Sequence, residues 1–187
     1  MSTKLLICLG NPGDEYTDTR HNAGFLFADY LIKKNKFNKP TLKEKLLAEV
    51  SEGKLLAPSK GKVNKNKIII AKPQTFMNKS GNAALLIAKL YKIKPQDIII
   101  IHDDSDMPFG YTKNSFNRSS AGHRGVQSIF KILKTEKIWR SRIGIQPSAK
   151  KHIPAADLVL RKFTPKEQQG LPKIFKELLG KMSQILK

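Results

Sequence analysis

An α/β fold on a twisted, mostly parallel mixed sheet with helices on both faces is the fold class this sequence predicts. Three observations point to it. Apolar runs at 5–9, 68–71 and 98–101 have the length and the branched content of buried strands. Strand, turn and helix recur at least three times along the chain. The runs are followed by polar, chemistry-bearing residues: Asn11 after the first, Asn78 after the second, His102 and Asp103 after the third. Carboxyl ends of parallel strands share one rim, and open α/β sheets bind ligands there.

Each element follows in order. Residues 3–9 read as the first strand, which Gly10, Asn11, Pro12 and Gly13 break with tight-turn chemistry. His21 and Asn22 open a helix over 21–36, with Phe25, Leu26, Ala28 and Ile32 at helical spacing. Residues 46–51 and 53–57 read as a hairpin, and 58–66 as a lysine-rich loop. Residues 67–71 form a buried strand, and 73–81 make a second strand-to-helix junction. The helix after it carries Ala84, Leu85, Ile87, Ala88 and Tyr91 on one side. A strand at 97–101 delivers His102 and Asp103 at its end. Then come a strand at 111–116, a loop of small residues at 117–125, a helix at 126–133 and a strand at 139–145. In the tail, Thr164, Pro165 and Glu167 carry the signature of a capping box. Leu171, Ile174, Phe175, Leu178, Leu179 and Met182 form a helical stripe, which Pro172 is expected to kink or restart. Without a linker or an internal repeat, 1–187 reads as one domain.

Bulk composition narrows the function. No run reaches the about 18 apolar residues of a membrane span. The first residues lack the pattern of a secretion signal. The single cysteine, Cys8, excludes an internal disulfide, and a cytoplasmic protein is the simple reading. Thirty-five Lys and Arg against 15 Asp and Glu give a net charge of +20. Such an excess is the electrostatic footprint of a nucleic-acid partner, although a generally lysine-rich surface has the same charge.

His21 is the side chain whose ordinary pKa, about 6.5, suits a general base near neutrality. A carboxylate such as Asp103 can orient it, and the carboxamides of Asn11 and Asn78 can serve an oxyanion or a peptide group. No G-x-S-x-G elbow is present to make Ser105 a nucleophile. No phosphate-binding glycine motif is present either, so no nucleotide cofactor is expected. His102, Asp103, Asp104 and Asp106 are dense in metal ligands, but no second histidine motif at ligand spacing supports a metal. Attack by water, aided by His21, is the chemistry left standing.

The motifs also resemble a known family. Gly10 to Gly13, Tyr16 and the run from Thr19 to Gly24 look like the opening motif of bacterial-type peptidyl-tRNA hydrolases. The stretches 73–81, 102–110, 122–125, 142–145 and 159–163 are similar to its later motifs, in order across nearly the whole chain. The resemblance implies a metal-independent hydrolase without cofactor, a monomer, acting on the ester between a peptide and the 3′ ribose of tRNA. It implies His21 as base, Asp103 as its orienter, and Asn11 and Asn78 as positioners of ester and peptide. Tyr16, Asn22, Phe76, Met77, His123 and Arg124 would meet the substrate, and Lys113 and Arg142 would meet phosphates of the acceptor stem and CCA end. On this basis His21→Ala is expected to cost more than Asp103→Asn. The chain departs from the family pattern at Arg124, where asparagine is usual, at Ser115, where a lysine is common, at Arg161 and in the loop 117–121. Arginine offers only donors and forks well to phosphate. A non-catalytic RNA-binding relative of the same fold would keep the sheet and the charge without needing His21 and Asp103.

Overall fold

The computed structural model describes residues 2–55, 66–147 and 152–186. Its elements are β1 (Thr3–Cys8), α1 (Ala23–Lys34), β2 (Lys36–Phe37), β3 (Thr41–Lys43), β4 (Ala48–Lys54), β5 (Lys67–Pro73), α2 (Ser80–Leu90), β6 (Ile98–Pro108), β7 (Thr112–Phe116), α3 (Arg124–Leu133), β8 (Trp139–Gln146), α4 (Ala155–Leu158) and α5 (Pro165–Met182). The strands form one sheet in the order β2-β4-β5-β1-β6-β8-β7, with β3 also paired to β4. Its centre, β5-β1-β6-β8, is parallel. Its margins are antiparallel. The predicted α/β class is the observed one.

The central strands are apolar throughout because both faces are covered. Along β1 and just past it, Leu6 and Cys8 join one core, which also holds Phe27, Leu31, Ile174 and Leu178 from α1 and α5. Leu5, Ile7 and Leu9 join the other core, with Ala84 and Ile87 of α2 and Val126 and Ile129 of α3. The alternation is the period of two of a strand buried on both sides.

Three elements differ from expectation. In place of the hairpin expected over 46–51 and 53–57, the described residues form the single strand β4, antiparallel to β5, and 56–57 lie outside the described residues. Gly53 lies inside it, not at a turn, because β2 passes so close that a Cβ there would collide with the Lys36 carbonyl. The lysine-rich loop falls, except for Asn66, outside the described residues. The strand ending at 101 continues as β6 to Pro108, so His102 and Asp103 are strand residues opposite Arg142 and Ile143 of β8. Finally, α5 runs unbroken from Pro165 to Met182, without a restart at Pro172. Pro172 and Gln168 are both exposed, so the carbonyl deprived of its helical partner faces water.

The capping box of α5 is also an anchor. Glu167 Oε2 accepts from the Thr164 backbone N–H at 2.8 Å, and Glu167 N–H donates to Thr164 Oγ1 at 3.3 Å. The same carboxylate takes both bonds of the Arg20 Nη2 group, at 2.7 and 3.0 Å, while Arg20 Nη1 donates to the Ile145 carbonyl at 2.9 Å. Arg20 is buried. Removing one partner of a buried pair leaves an uncompensated charge, which costs about 3–5 kcal/mol. Glu167→Ala is therefore expected to lower Tm by roughly 10 °C, whereas Glu177→Ala, in the exposed pair with Lys181, changes it little. Thermal unfolding of the two variants checks this; equal small shifts would contradict the anchoring role.

Candidate active site

Two strand-to-helix junctions are stitched together at the end of β1. The Asn22 carboxamide accepts from Asn11 N–H at 2.8 Å and donates to the Asn11 carbonyl at 3.1 Å. Asn11 Oδ1 in turn accepts from Met77 N–H at 2.8 Å, across 66 residues of chain. This fixes the Asn11 amide so that its Nδ2 is the group left for a ligand. Asn22 itself is buried and does not reach the cavity wall, contrary to the expectation that it meets substrate. It holds Asn11 from behind. Gly24 permits the close approach of α1 to the strand ends, since a Cβ would collide with the Leu9 carbonyl.

His21 lies in a short 3-10 turn, Arg20–Asn22, just before α1. The returning tail pins it: His21 N–H donates to the Val159 carbonyl at 2.8 Å and Arg20 N–H to that of Arg161 at 2.9 Å. Its Nδ1 lies 2.9 and 3.0 Å from the two oxygens of Asp103. A carboxylate only accepts, so Nδ1 carries the proton and Nε2 keeps its lone pair.

Asp103 has a second imidazole partner that the motifs do not reveal. His123 Nε2 donates to Asp103 Oδ1 at 2.9 Å. Its tautomer is set by α3, whose Gly125 and Val126 N–H groups donate to His123 Nδ1 at 3.2 and 3.4 Å. His123 is thus the N-cap of α3 as well as a brace for Asp103. Burial pushes the Asp103 carboxyl up, but the charges and hydrogen bonds of His21 and His123 outweigh it and hold it well below its ordinary range. Burial pulls His21 down, yet the charge and hydrogen bond of Asp103 overcome this and leave the imidazole above its ordinary value. Burial, with His123 beside it, drives His102 well down, so it is neutral. Its Nδ1 donates to the Asp103 carbonyl at 2.6 Å, and its Nε2 is buried with no partner among the described residues.

Arg124, at the start of α3, opposes the elevation of His21 through its charge. Asparagine there would remove a positive neighbour and raise the imidazole further. Only neutral His21 can take a proton, so the acidic limb of the kcat/KM–pH profile is expected to move to higher pH in Arg124→Asn. A limb that stays in place, or moves to lower pH, would show that Arg124 does not act on His21.

The structure brings most of the sequence-predicted residues to one cavity of about 640 Å³. His21, Asp103, His123 and Arg124 line it together with Asn11 and the exposed Asn78. Tyr16 and Phe76 meet edge to face, ring centres 6.4 Å apart, and form a wall with Met77. Lys113 and Arg142 lie outside it, paired across β7 and β8. Arg142 donates to Asp104 Oδ2 at 2.9 Å, so part of its guanidinium is already engaged. Sequence reasoning placed Val159 and Leu160 in a motif but assigned them no part in the cavity wall that they form, and it missed Arg140. Period two along β8 would have placed Arg140 on the face of Arg142.

His21, Asp103 and His123 each offer one ligand atom, all within 4.8 Å of one another, and could approach a cation. To bind it they would give up the hydrogen bonds that orient the two rings. As it stands, the arrangement is a basic nitrogen with a fixed tautomer, beside amide donors and in a partly apolar cavity. That is equipment for activating water against a carbonyl.

Comparison with known proteins agrees. Residues 5–187 match the family described as peptidyl-tRNA hydrolase. The peptidyl-tRNA hydrolase of Sulfurihydrogenibium sp. is 42% identical over 172 residues, covering 91% of this chain and 84% of that one. That of Aquifex aeolicus is 38% identical over 177 residues, 95% of this chain and 86% of that one. The crystal structure of the Acinetobacter baumannii peptidyl-tRNA hydrolase superimposes with a TM-score of 0.77 at 30% identity, covering 98% of this chain and 92% of that one. The chain belongs to the peptidyl-tRNA hydrolase family.

Proposed function

We propose that this cavity hydrolyses the ester joining a peptide to the 3′ ribose of tRNA, with His21 as the general base. The observation that carries the reading is the His21–Asp103 pair, which leaves a basic Nε2 at a cavity where Asn11 Nδ2 has no partner among the described residues. His21 Nε2 takes a proton from water as its oxygen bonds to the ester carbon. Asn11, and Asn78 across the cavity, are placed to donate to the oxyanion or the peptide amide. On collapse, the ester C–O bond breaks and His21 returns the proton to the leaving ribose oxygen. The peptide acid and free tRNA result, the acid gives its proton to water to become the carboxylate, and His21 is again neutral.

The net charge of +20 supports tRNA as partner, and the exposed Lys113 supports contact with its acceptor stem and CCA end outside the cavity. One continuous sheet supports reading 1–187 as one domain. The family's substrate belongs to translation, which supports the cytoplasm as the place of action; no described helix is long and apolar enough to cross a membrane. We read the chain as a monomer, the state that the family resemblance implies. The non-catalytic alternative is disfavoured because it has no use for the oriented His21–Asp103 pair.

The test is incubation with N-acetylaminoacyl-tRNA and, in parallel, with aminoacyl-tRNA bearing a free amine, scoring released tRNA with EDTA present. The N-blocked ester is expected to turn over at least about tenfold faster, because a free ammonium would meet amide donors in a desolvated cleft. No release from the N-blocked substrate would sink the hydrolase reading, and equal rates would sink the role of the two asparagines.

A further inference from the structure

The cavity holds a buried positive charge that the hydrolytic step does not use. Arg140, in β8, lines the cavity and is only 3% exposed. Among the described residues its guanidinium makes one hydrogen bond, from Nη1 to the Ser120 carbonyl at 3.4 Å, and its Nε is buried without a partner. A guanidinium has five N–H donors and stays charged, and burying one with its donors unmet is costly. No carboxylate among the described residues pairs with it. Asp104, which attracts it through space, is held by Arg142 at 2.9 Å, and Arg142 adds repulsion. Arg20 shows the contrast: it is equally buried and its Nε too lacks a partner among the described residues, but its terminal nitrogens sit on a bidentate carboxylate and a carbonyl.

The same cavity holds a second unpaired guanidinium. Arg124 is exposed at the start of α3 and has no ion pair among the described residues. Just before Arg124 in the chain, Ser120, Ala121 and Gly122 contribute small residues to the cavity lining, and none of them carries a negative charge. Of the two other groups near Arg140, His102 is neutral and Glu136 acts only through space. Of the carboxylates that line the cavity, Asp103 is held by His21 and His123, Asp104 by Arg142, and Asp106 is exposed, so neither guanidinium is bonded to a carboxylate among the described residues. The complement of two guanidinium groups is an oxyanion, and above all a phosphate, which their planar forks match.

We propose that Arg140 and Arg124 form an anion subsite inside the cavity, which takes the phosphodiester on the 5′ side of the substrate's terminal nucleoside. This rests on the reading of the cavity as the site of ester hydrolysis at the 3′ ribose. An ester on that ribose brings one phosphodiester with it whatever the rest of the tRNA does. The subsite therefore positions the ester from the nucleic-acid side, while Asn11 and Asn78 hold it from the peptide side. It also gives a purpose to arginine at position 124, which strengthens a phosphate site that Arg140 alone would anchor from below.

The dinucleotide cytidylyl-3′,5′-adenosine has that phosphodiester and no ester, so it probes the subsite without turnover. Calorimetric or NMR titration of the full chain is expected to show it binding at least about tenfold more tightly than adenosine, the worth of one or two charged hydrogen bonds. In Arg140→Gln and in Arg124→Gln its affinity is expected to fall several-fold, and in the double variant to that of adenosine. Arg124 is exposed, so Arg124→Gln carries the test should Arg140→Gln fail to fold. Equal affinity of the parent for dinucleotide and adenosine would overturn the proposal, and so would an Arg124→Gln protein that binds the dinucleotide as the parent does. Dinucleotide binding as expected, with no hydrolysis of N-acetylaminoacyl-tRNA, would keep the subsite and remove the catalytic reading.

Discussion

His21→Ala is expected to leave tRNA binding nearly unchanged and to lower kcat by roughly 10²–10⁴-fold, the range for loss of a positioned general base. The contacts expected to carry tRNA binding do not include this side chain. The expected phosphate contacts, Lys113 and Arg142, lie on β7 and β8, and His21 is held to the fold by its backbone N–H on the Val159 carbonyl, which alanine retains. What alanine removes is Nε2, the cavity nitrogen whose protonation the Asp103 contact controls. Arg124 and Asn11 remain, so residual turnover from positioning and amide donors is expected. Single-turnover hydrolysis of N-acetylaminoacyl-tRNA, with filter binding of uncharged tRNA alongside, separates the two effects. Turnover within tenfold of the parent would assign the base elsewhere.

Asp103→Asn is expected to cost about as much as His21→Ala, although from sequence alone it reads as the milder change. Two donors converge on Asp103, and the tautomers decide which of them an amide can satisfy. His123 cannot give up its Nε2 proton easily, because its Nδ1 is occupied as the acceptor of two α3 N–H groups. It therefore takes the amide oxygen of an asparagine. The amide NH₂ then faces His21 Nδ1, which sits 3.0 Å from Asp103 Oδ2 in the parent. His21 Nδ1 also lies 2.9 Å from the oxygen that His123 uses, so keeping its proton would set Nδ1–H against the amide NH₂, while accepting from the NH₂ moves the proton to Nε2, the atom that has to be basic. A catalytic imidazole forced into the wrong tautomer in this way loses about 10⁴ in kcat in a serine-protease triad. The prediction here is a loss of roughly 10²–10⁴-fold, checked by kcat at saturating substrate and by NMR assignment of the His21 tautomer. An Asp103→Asn enzyme that kept a tenth of the parental kcat would show that His123 does not dictate the amide's orientation.

Much of this protein can be read along the chain. The strands at 3–9, 67–71 and 97–101, the helix at 126–133 and the Thr164–Glu167 box reflect local periodicity and capping chemistry, which depend only on neighbours in sequence. The candidates Asn11, Asn78, His21 and Asp103 were legible for a related reason: in a parallel sheet, residues that follow strands in sequence share one rim in space. Where a local cue had two meanings, the partner decided. Gly53 looks like a turn but marks the close passage of β2, and the acidic run after Ile101 looks like a loop but pairs with β8.

The division of labour inside the site was not legible. Asp103 takes one imidazole from 82 residues away and another from 20 residues away, and only the folded chain brings both to the same oxygen. The sequence placed Asn22, Arg142 and Arg124 alike near substrate. The tertiary structure put Asn22 behind the wall, tied Arg142 to Asp104, and left Arg124 in the same cavity as Arg140, which no carboxylate among the described residues pairs. Amide and guanidinium groups are fixed by whichever donor or acceptor lies within about 3 Å, and a one-dimensional pattern does not encode that distance. The sequence by itself determined which chemical groups this protein brings to the rim of its sheet; the tertiary structure decided which of them were spent on holding one another and which remained for a ligand.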